Sequence, residues 1–247
     1  MEDKTLVVIP ARYGSTRLPA KALKLIGGKP MITRVYERAK LMKTPSRVIV
    51  ATDDERILKT VTGSGGEAVM TSIHHASGTD RVAEVARKFP EYGIVVNLQG
   101  DEPFVDTDSV DRAVNALKGN PGASVSTLCV SVERKEAEDL NVTCVVRDLH
   151  GMALYFSKLP IPHHRDGADE NSRWLKHLGV YVFRRDFLLR FSAMSPTPLE
   201  KLEKLEQLRI LEHGEKILLV DTDRDSLGID SPADLERAEA FVRNGEF

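Results

Sequence analysis

The chain is poor in cysteine, has no long apolar run, and between Thr5 and Tyr36 carries no acid at all. Each absence excludes something. Its two cysteines, Cys129 and Cys144, stand among β-branched and apolar neighbours and read as buried thiols, not as a disulfide or a metal pair. Nothing approaches the roughly 18 consecutive apolar residues of a membrane span. Met1-Glu2-Asp3-Lys4 runs straight towards a strand with no signal-peptide pattern, so a cytoplasmic protein with no membrane insertion is expected. No internal repeat, low-complexity tract or linker is visible. Lys and Arg total 35 against 37 Asp and Glu, a net charge of -2. That balance gives no basic face and argues against nucleic acid as a partner. No G-x-x-x-x-G-K-[ST] pattern exists for a P-loop. The pairs His74-His75 and His163-His164 lack zinc spacing and read as surface residues.

What is present is a local positive field. The acid-free stretch holds Arg12, Arg17, Lys21, Lys24, Lys29 and Arg34. It begins as Leu6-Val7-Val8-Ile9-Pro10 and continues as Ala11-Arg12-Tyr13-Gly14-Ser15-Thr16-Arg17-Leu18-Pro19-Ala20-Lys21. A β-branched run followed by a Gly/Ser/Thr loop with three cations is a first strand feeding a phosphate-facing loop. A nucleoside triphosphate carries about three to four negative charges, and holding it needs converging cations with no carboxylate beside them. Arg12, Arg17 and Lys21 meet that need.

Strand-like and helical runs alternate. Leu6–Pro10, Arg47–Ala51, Glu67–Met70 and Ile94–Gln99 read as strands. Pro30–Met42, Asp54–Val61, a helix capped by Thr79 or Asp80 through Phe89, and Asp108–Leu117 read as the helices between them. That rhythm predicts an α/β, mainly parallel sheet with helices on both faces. The middle is richer in strands: Ser124–Val132, Asn141–Arg147, Met152–Ser157 and Leu178–Arg184, with a polar loop at His163–Arg173. One domain over 1–247, with an inserted β-rich lobe at about 124–185, is expected. The leucine spacing of Pro198–His213 predicts one amphipathic helix. Ile217–Val220 reads as a strand, and Ser231-Pro232 opens the last helix with a cap and a first-turn proline. Gly63-Ser64-Gly65-Gly66-Glu67-Ala68 matches G-x-G-x-x-A formally. It follows a helix and precedes a strand, the reverse of a dinucleotide-binding turn, and reads as a helix stop.

Three other segments carry chemistry. In Asn97-Leu98-Gln99-Gly100-Asp101-Glu102-Pro103, Asp101 stands past the carboxyl end of a buried strand, where it could hold Mg²⁺ against phosphate or merely start a turn. In Gly228-Ile229-Asp230-Ser231-Pro232, Asp230 precedes a cap, and Asp221, Asp223 and Asp225 compete with it for a metal role. Ser77-Gly78-Thr79-Asp80-Arg81 offers hydroxyls and free N–H groups at a helix start, for a base, a ribose or a cap. His177 and Tyr181 are four apart and share a face if that stretch is extended. The pair Glu206-Gln207 interrupts a leucine-rich helix at what reads as its solvent edge.

Taken in order, these segments, with Ala51-Thr52-Asp53-Asp54-Glu55-Arg56 and Leu205-Glu206-Gln207-Leu208-Arg209, resemble the 3-deoxy-manno-octulosonate cytidylyltransferase family over nearly the whole chain. The resemblance implies a nucleotide-diphospho-sugar-transferase-like, Rossmann-like fold. It implies a Mg²⁺-dependent enzyme, typically a homodimer, that makes CMP-Kdo and pyrophosphate from CTP and 3-deoxy-manno-octulosonate (Kdo) for lipopolysaccharide assembly. Residue by residue, it implies that Arg12, Arg17 and Lys21 hold the triphosphate, with Lys21, Asp101 and Asp230 central to catalysis. Ser77, Gly78, Thr79, Arg81 and Gln99 would surround the cytidine. Asp101 and Asp230 would bind Mg²⁺, and Arg165, His177, Tyr181, Glu206 and Gln207 the sugar acid. The chain departs from the family's common Pro-Gly-Lys-Pro with Pro19-Ala20-Lys21-Ala22, so a slightly different loop shape is expected. Three alternatives stay open: a relative acting on another 2-keto sugar acid (8-amino Kdo or a nonulosonate), a metal-dependent nucleotide-sugar glycosyltransferase, and a non-catalytic nucleotide-binding module.

Overall fold

The computed structural model describes residues 4–15, 18–169 and 171–245. One mixed sheet organises them. Its strands are β1 (Thr5–Ala11), β2 (Pro45–Thr52), β3 (Ala68–Met70), β4 (Ile94–Asn97), β5 (Val125–Val132), β6 (Cys144–Arg147), β7 (Ala153–Ser157), β8 (Trp174–Arg184) and β9 (Ile217–Asp221). The order across the sheet is β9-β5-β8-β4-β1-β2-β3. β1 pairs in parallel with β2 and β4, β2 with β3, and β9 with β5, while β8 runs antiparallel to β4 and β5. The 124–185 segment thus contributes β5 and β8 to the main sheet, and β6 pairs with both β8 and β7.

The longer helices are α1 (Met31–Ala39), α2 (Glu55–Gly63), α3 (Gly78–Lys88), α4 (Thr107–Gly119), α5 (Arg185–Phe191), α6 (Pro198–Glu203), α7 (Gln207–Glu212) and α8 (Pro232–Arg243), beside one-turn helices at Lys21–Leu23 and Arg134–Ala137. Strand alternation decides which cover which face. Val7 and Ile9 of β1 pack with Ile32, Val35, Ile57, Val110 and Val114 of α1, α2 and α4. Leu6 and Val8 point the other way, onto Val82 and Val85 of α3, Phe187 of α5 and Leu208 of α7. Both sets are fully buried, so a slip of one residue in β1 would exchange the two faces and is not tolerated.

Three expectations change. The single helix over 198–213 is two helices, because Lys204 takes a left-handed conformation (φ 57°) that ends α6 and turns the chain. Leu202 is consequently 78% exposed instead of joining a leucine ridge. α5 had no counterpart in the sequence reading; Phe187, Leu188 and Phe191 hold it on the sheet. Finally, α3 is capped by Ser77, not by Thr79 or Asp80. Ser77 Oγ accepts from the Asp80 N–H, and the Asp80 carboxylate accepts from the Ser77 N–H, each at 3.1 Å. The helix stop at Gly63–Gly66 forms as expected, with Gly65 at φ 77°. So does the start of α8, with Ser231 as cap and Pro232 in the first turn.

Topology brings four segments to one edge. β1, β4 and β9 end there, and the first half of β8 begins there, with Tyr181 opposite Asn97. In an open α/β sheet, the carboxyl edge is where ligands bind.

Candidate active site

The loop after β1 carries the cations to that edge, and the loop after β4 carries Asp101. Gly100 makes their approach possible: a Cβ there would stand 2.8 Å from the carbonyl oxygen of Pro10, a backbone atom that cannot move aside cheaply. The result is a cavity of about 380 Å³ lined by Arg12, Lys21, Ser77, Gly78, Arg81, Gln99, Asp101 and Asp230 together with Pro10 and His75. Eight of the residues singled out in the sequence therefore meet around one space. Arg17 lies outside the described residues.

Lys21 sits between the acids. Its ammonium donates to the carboxylate of Asp101 and, at 2.8 Å, to Asp230 Oδ1. Burial works against its charge, but the two carboxylates outweigh that and hold its pKa above the usual lysine value. Of the four competing acids near the last strand, only Asp230 joins Asp101. Asp221 pairs with Arg147 at 2.8 Å, and Asp225 with Lys176 at 2.6 Å.

Two carboxylates that share one cation face a common point. That donor set fits a divalent ion, which takes one or two protein carboxylates and completes its shell with phosphate oxygens and water. Among the described residues no cluster of three or more His, Cys, Asp or Glu forms a metal centre. A metal here would therefore depend on substrate oxygens as well as on the acid pair.

The wall of the cavity is preorganised. Arg81, 4% exposed, is pinned by Asp53 at 2.6 Å and by the Thr71 hydroxyl. Thr79 is not in the lining. Its hydroxyl donates to Glu206 at 2.5 Å and accepts from Asn97 Nδ2 at 3.3 Å, while Asn97 Oδ1 accepts from Gln99 Nε2 at 3.1 Å. This polar chain runs from Gln99 to Glu206 and joins the small cavity to the expected sugar-acid residues.

Those residues divide. His177 and Tyr181 lie side by side, with ring centroids 5.3 Å apart, and Tyr181 lies near enough to the Glu206 carboxylate for that charge to raise its pKa, after desolvation. Glu206 is itself raised, first by desolvation, against the hydrogen bond from Thr79. His177 is held neutral: desolvation first, and the Lys158 charge second, push it down to about 3. Its Nε2 is 2.9 Å from Thr127 Oγ1. Gln207 is buried at the first turn of α7. Arg165 is exposed in the 158–173 loop, where no described hydrogen bond or ion pair draws it to the cluster.

A second, larger cavity of about 1330 Å³ opens on the other side of Asp230, lined there by His177, Gly179, Glu102, Ser226 and Gly228. Glu102 keeps part of its surface in this groove, yet it is packed closely enough that desolvation, with the neighbouring Asp101 charge, pushes its pKa up to about 7. The two spaces meet at Asp230. That gives room for two reactants around one acid pair.

Three contributors were missed in the sequence. Asp53 stood in a segment that carries the resemblance but was given no role, although it anchors Arg81. Asn97 carries no motif of its own beyond its place before Gln99. His75 read as a surface histidine but lines the cavity, held by Glu84 at 2.7 Å.

Known proteins share this arrangement of sequence and fold. A family model described as cytidylyltransferase matches residues 6–217. The 3-deoxy-manno-octulosonate cytidylyltransferase of Syntrophotalea carbinolica is 49% identical over 96% of this chain and 97% of its own. That of Desulfatibacillum aliphaticivorans is 50% identical over 98% and 99%. Among solved structures, a CMP:2-keto-3-deoxy-manno-octonic acid synthetase complexed with CTP superimposes with a TM-score of 0.93 at 42% identity, covering 98% of this chain and 99% of that one.

Proposed function

The chain belongs to the 3-deoxy-manno-octulosonate cytidylyltransferase family, and from that membership we propose that it activates Kdo with CTP, yielding CMP-Kdo and pyrophosphate for lipopolysaccharide assembly. The observation that carries this reading is the meeting of Arg12 and Lys21 with Asp101 and Asp230 around one cavity.

In this reading Arg12 and Lys21 bind the triphosphate, and Ser77, Gly78, Arg81 and Gln99 take the nucleoside end. Kdo approaches from the side of His177, Tyr181 and Glu206. The anomeric hydroxyl gives up its proton to solvent water and attacks the α-phosphorus in line, the bond to the bridging oxygen breaks, and pyrophosphate leaves with the electron pair. Most of the acceleration comes from alignment and charge neutralisation. Lys21 offsets charge that builds on the leaving pyrophosphate. Asp101 and Asp230 would hold Mg²⁺, which when bound lowers the pKa of the attacking hydroxyl and neutralises the α-phosphate. His177 and Tyr181 remain uncharged at neutral pH, so they orient the sugar without adding charge beside its carboxylate.

A glycosyltransferase would release a nucleoside diphosphate and would need no triphosphate clamp. The Arg12–Lys21 side of the cavity supports the cytidylyl transfer instead. The test is pyrophosphate release scored over the four nucleoside triphosphates and a panel of 2-keto sugar acids with Mg²⁺. Turnover with CTP and Kdo is expected. Release with 8-amino Kdo or a nonulosonate in preference to Kdo would move the assignment to that sugar, and no release with any pair would overturn it.

We also read the 124–185 lobe as the place where two copies meet. Leu149, Leu154 and Leu159 on and beside its hairpin are 103%, 59% and 64% exposed. Sedimentation velocity at twice the chain mass, returned to one by L154E, is the expected result. A cytoplasmic location fits two free, buried thiols and a CTP substrate. No described helix is long and apolar enough to cross a membrane.

A further inference from the structure

Asp101 and Asp230 sit on loops that leave different strands, and one ion can use both only if those loops keep a fixed separation. Two hydrogen bonds cross between the loops beside the acids. The Ile229 N–H donates to the Asp101 carbonyl at 3.0 Å. The Ser226 hydroxyl donates to the carboxylate of Glu102. Gly228 lets the second contact form, since a Cβ there would stand 3.3 Å from Glu102 Oε1, tighter than ordinary contact. Among the described residues Glu102 makes no ion pair, so its carboxylate is not spent on a neighbouring cation. The other end of the contact is anchored too. Asp225, next to Ser226, pairs with Lys176 of β8 at 2.6 Å, and Lys176 also pairs with Glu136 at 2.7 Å. A continuous line of contacts therefore runs from β8 through Ser226 and Glu102 to Asp101.

We propose that Glu102 and Ser226 form a positioning pair, whose hydrogen bond sets the separation of Asp101 and Asp230 and thereby the affinity for the divalent ion. The inference rests on the reading of those two acids as the metal-holding pair. Both partners also line the larger cavity, and in this role they act through the two acids. They act as an outer layer that aims the ligating carboxylates, a layer whose loss commonly costs about 10–100-fold in metal affinity.

The test is Mn²⁺ binding to the full chain, followed by the electron paramagnetic resonance of the free ion, beside thermal melting and steady-state kinetics. E102A and S226A are expected to weaken Mn²⁺ binding by about tenfold or more. E102Q keeps an acceptor and S226T keeps a hydroxyl, so both are expected to bind nearly as the parent does. A purely structural contact would lower the melting temperature and leave Mn²⁺ affinity unchanged, and that result overturns the proposal. So does E102Q binding as weakly as E102A, which would make the charge of Glu102 the relevant property. If S226A does not fold, the comparison of E102A with E102Q decides alone. D101N and D230N separate the two levels. Wild-type Mn²⁺ binding in both removes the metal assignment and this inference with it. Loss in both, without loss in E102A or S226A, removes this inference only.

Discussion

Asp230 Oδ1 stands 2.8 Å from the ammonium of Lys21, although 209 residues separate the two in the chain. The same ammonium donates to Asp101. Three charged groups from three loops thus share one point at the edge of the sheet, with both carboxylates on one ammonium. Such an arrangement costs stability when uncompensated, because the carboxylates repel each other in a partly desolvated site. It becomes useful where a further cation and a polyphosphate arrive together.

The acid pair gives the first prediction. Asp101→Asn and Asp230→Asn each remove one negative charge and keep the shape, and Asn can still accept from Lys21. Both variants are expected to fold, with unchanged circular dichroism. Each is expected to lose at least about 100-fold in turnover, the scale of removing preorganised electrostatic stabilisation. Near-parental rates in both would take the acids out of the mechanism.

Lys21→Ala removes the cation that both acids share. Charge-assisted hydrogen bonds are worth about 1.5–3 kcal/mol. The loss is therefore expected as a rise in KM for CTP or a fall in kcat, together on the order of tenfold or more. The variant also removes the ammonium that bridges Asp101 and Asp230, so a lower melting temperature should accompany it, partly restored by added Mg²⁺. Unchanged kinetics would place Lys21 outside the triphosphate site.

How much of this was legible in the sequence follows from how local each signal is. The acid-free loop needed no partner to be read, and neither did the β1 run nor the Ser231–Pro232 helix start. The choice of Asp230 over Asp221 and Asp225 came from the resemblance alone; its physical reason needs partners, since Arg147 and Lys176 claim the other two, and that pairing is tertiary. The same holds for Asp53, whose tie to Arg81 spans 28 residues. The break between α6 and α7 escaped because leucine spacing continues across it. A left-handed residue at Lys204 changes the direction of the chain without changing the period. That turn is also what brings Glu206 to Thr79. A residue read as the solvent edge of a helix is thereby part of the polar wall.

The basic loop supplies a stability prediction. Ala20 holds φ 55° and ψ 34°, the left-handed region, immediately before Lys21. The conformation costs a residue with a Cβ about 1–2 kcal/mol. Glycine would avoid that cost but lose about 0.5–1 kcal/mol through its freer unfolded chain. Ala20→Gly is therefore expected to stabilise by about 0–1.5 kcal/mol, each kcal/mol being worth roughly 2–4 °C in Tm for a chain of this size. Differential scanning calorimetry checks it. A fall in Tm would show that the loop does not hold this conformation in solution.

The last prediction concerns acid. His177 titrates near 6.5 when unfolded, but in the folded protein desolvation, followed by the Lys158 charge, lowers it to about 3. Between those values the unfolded chain binds a proton that the folded chain refuses, so stability must fall as pH drops through this window. Above about pH 6.5 both states hold the ring neutral and the effect vanishes. His177→Gln keeps a polar partner for Thr127 Oγ1 and removes the titration. Urea unfolding of both proteins at several pH values isolates the effect, because every other titrating group is common to the pair. The parent is expected to lose stability more steeply than the variant from pH 6.5 towards pH 4, with parallel curves above pH 7. Parallel curves throughout would mean that the imidazole is protonated as readily inside as outside, and the neutral wall beside the sugar carboxylate would have to be abandoned.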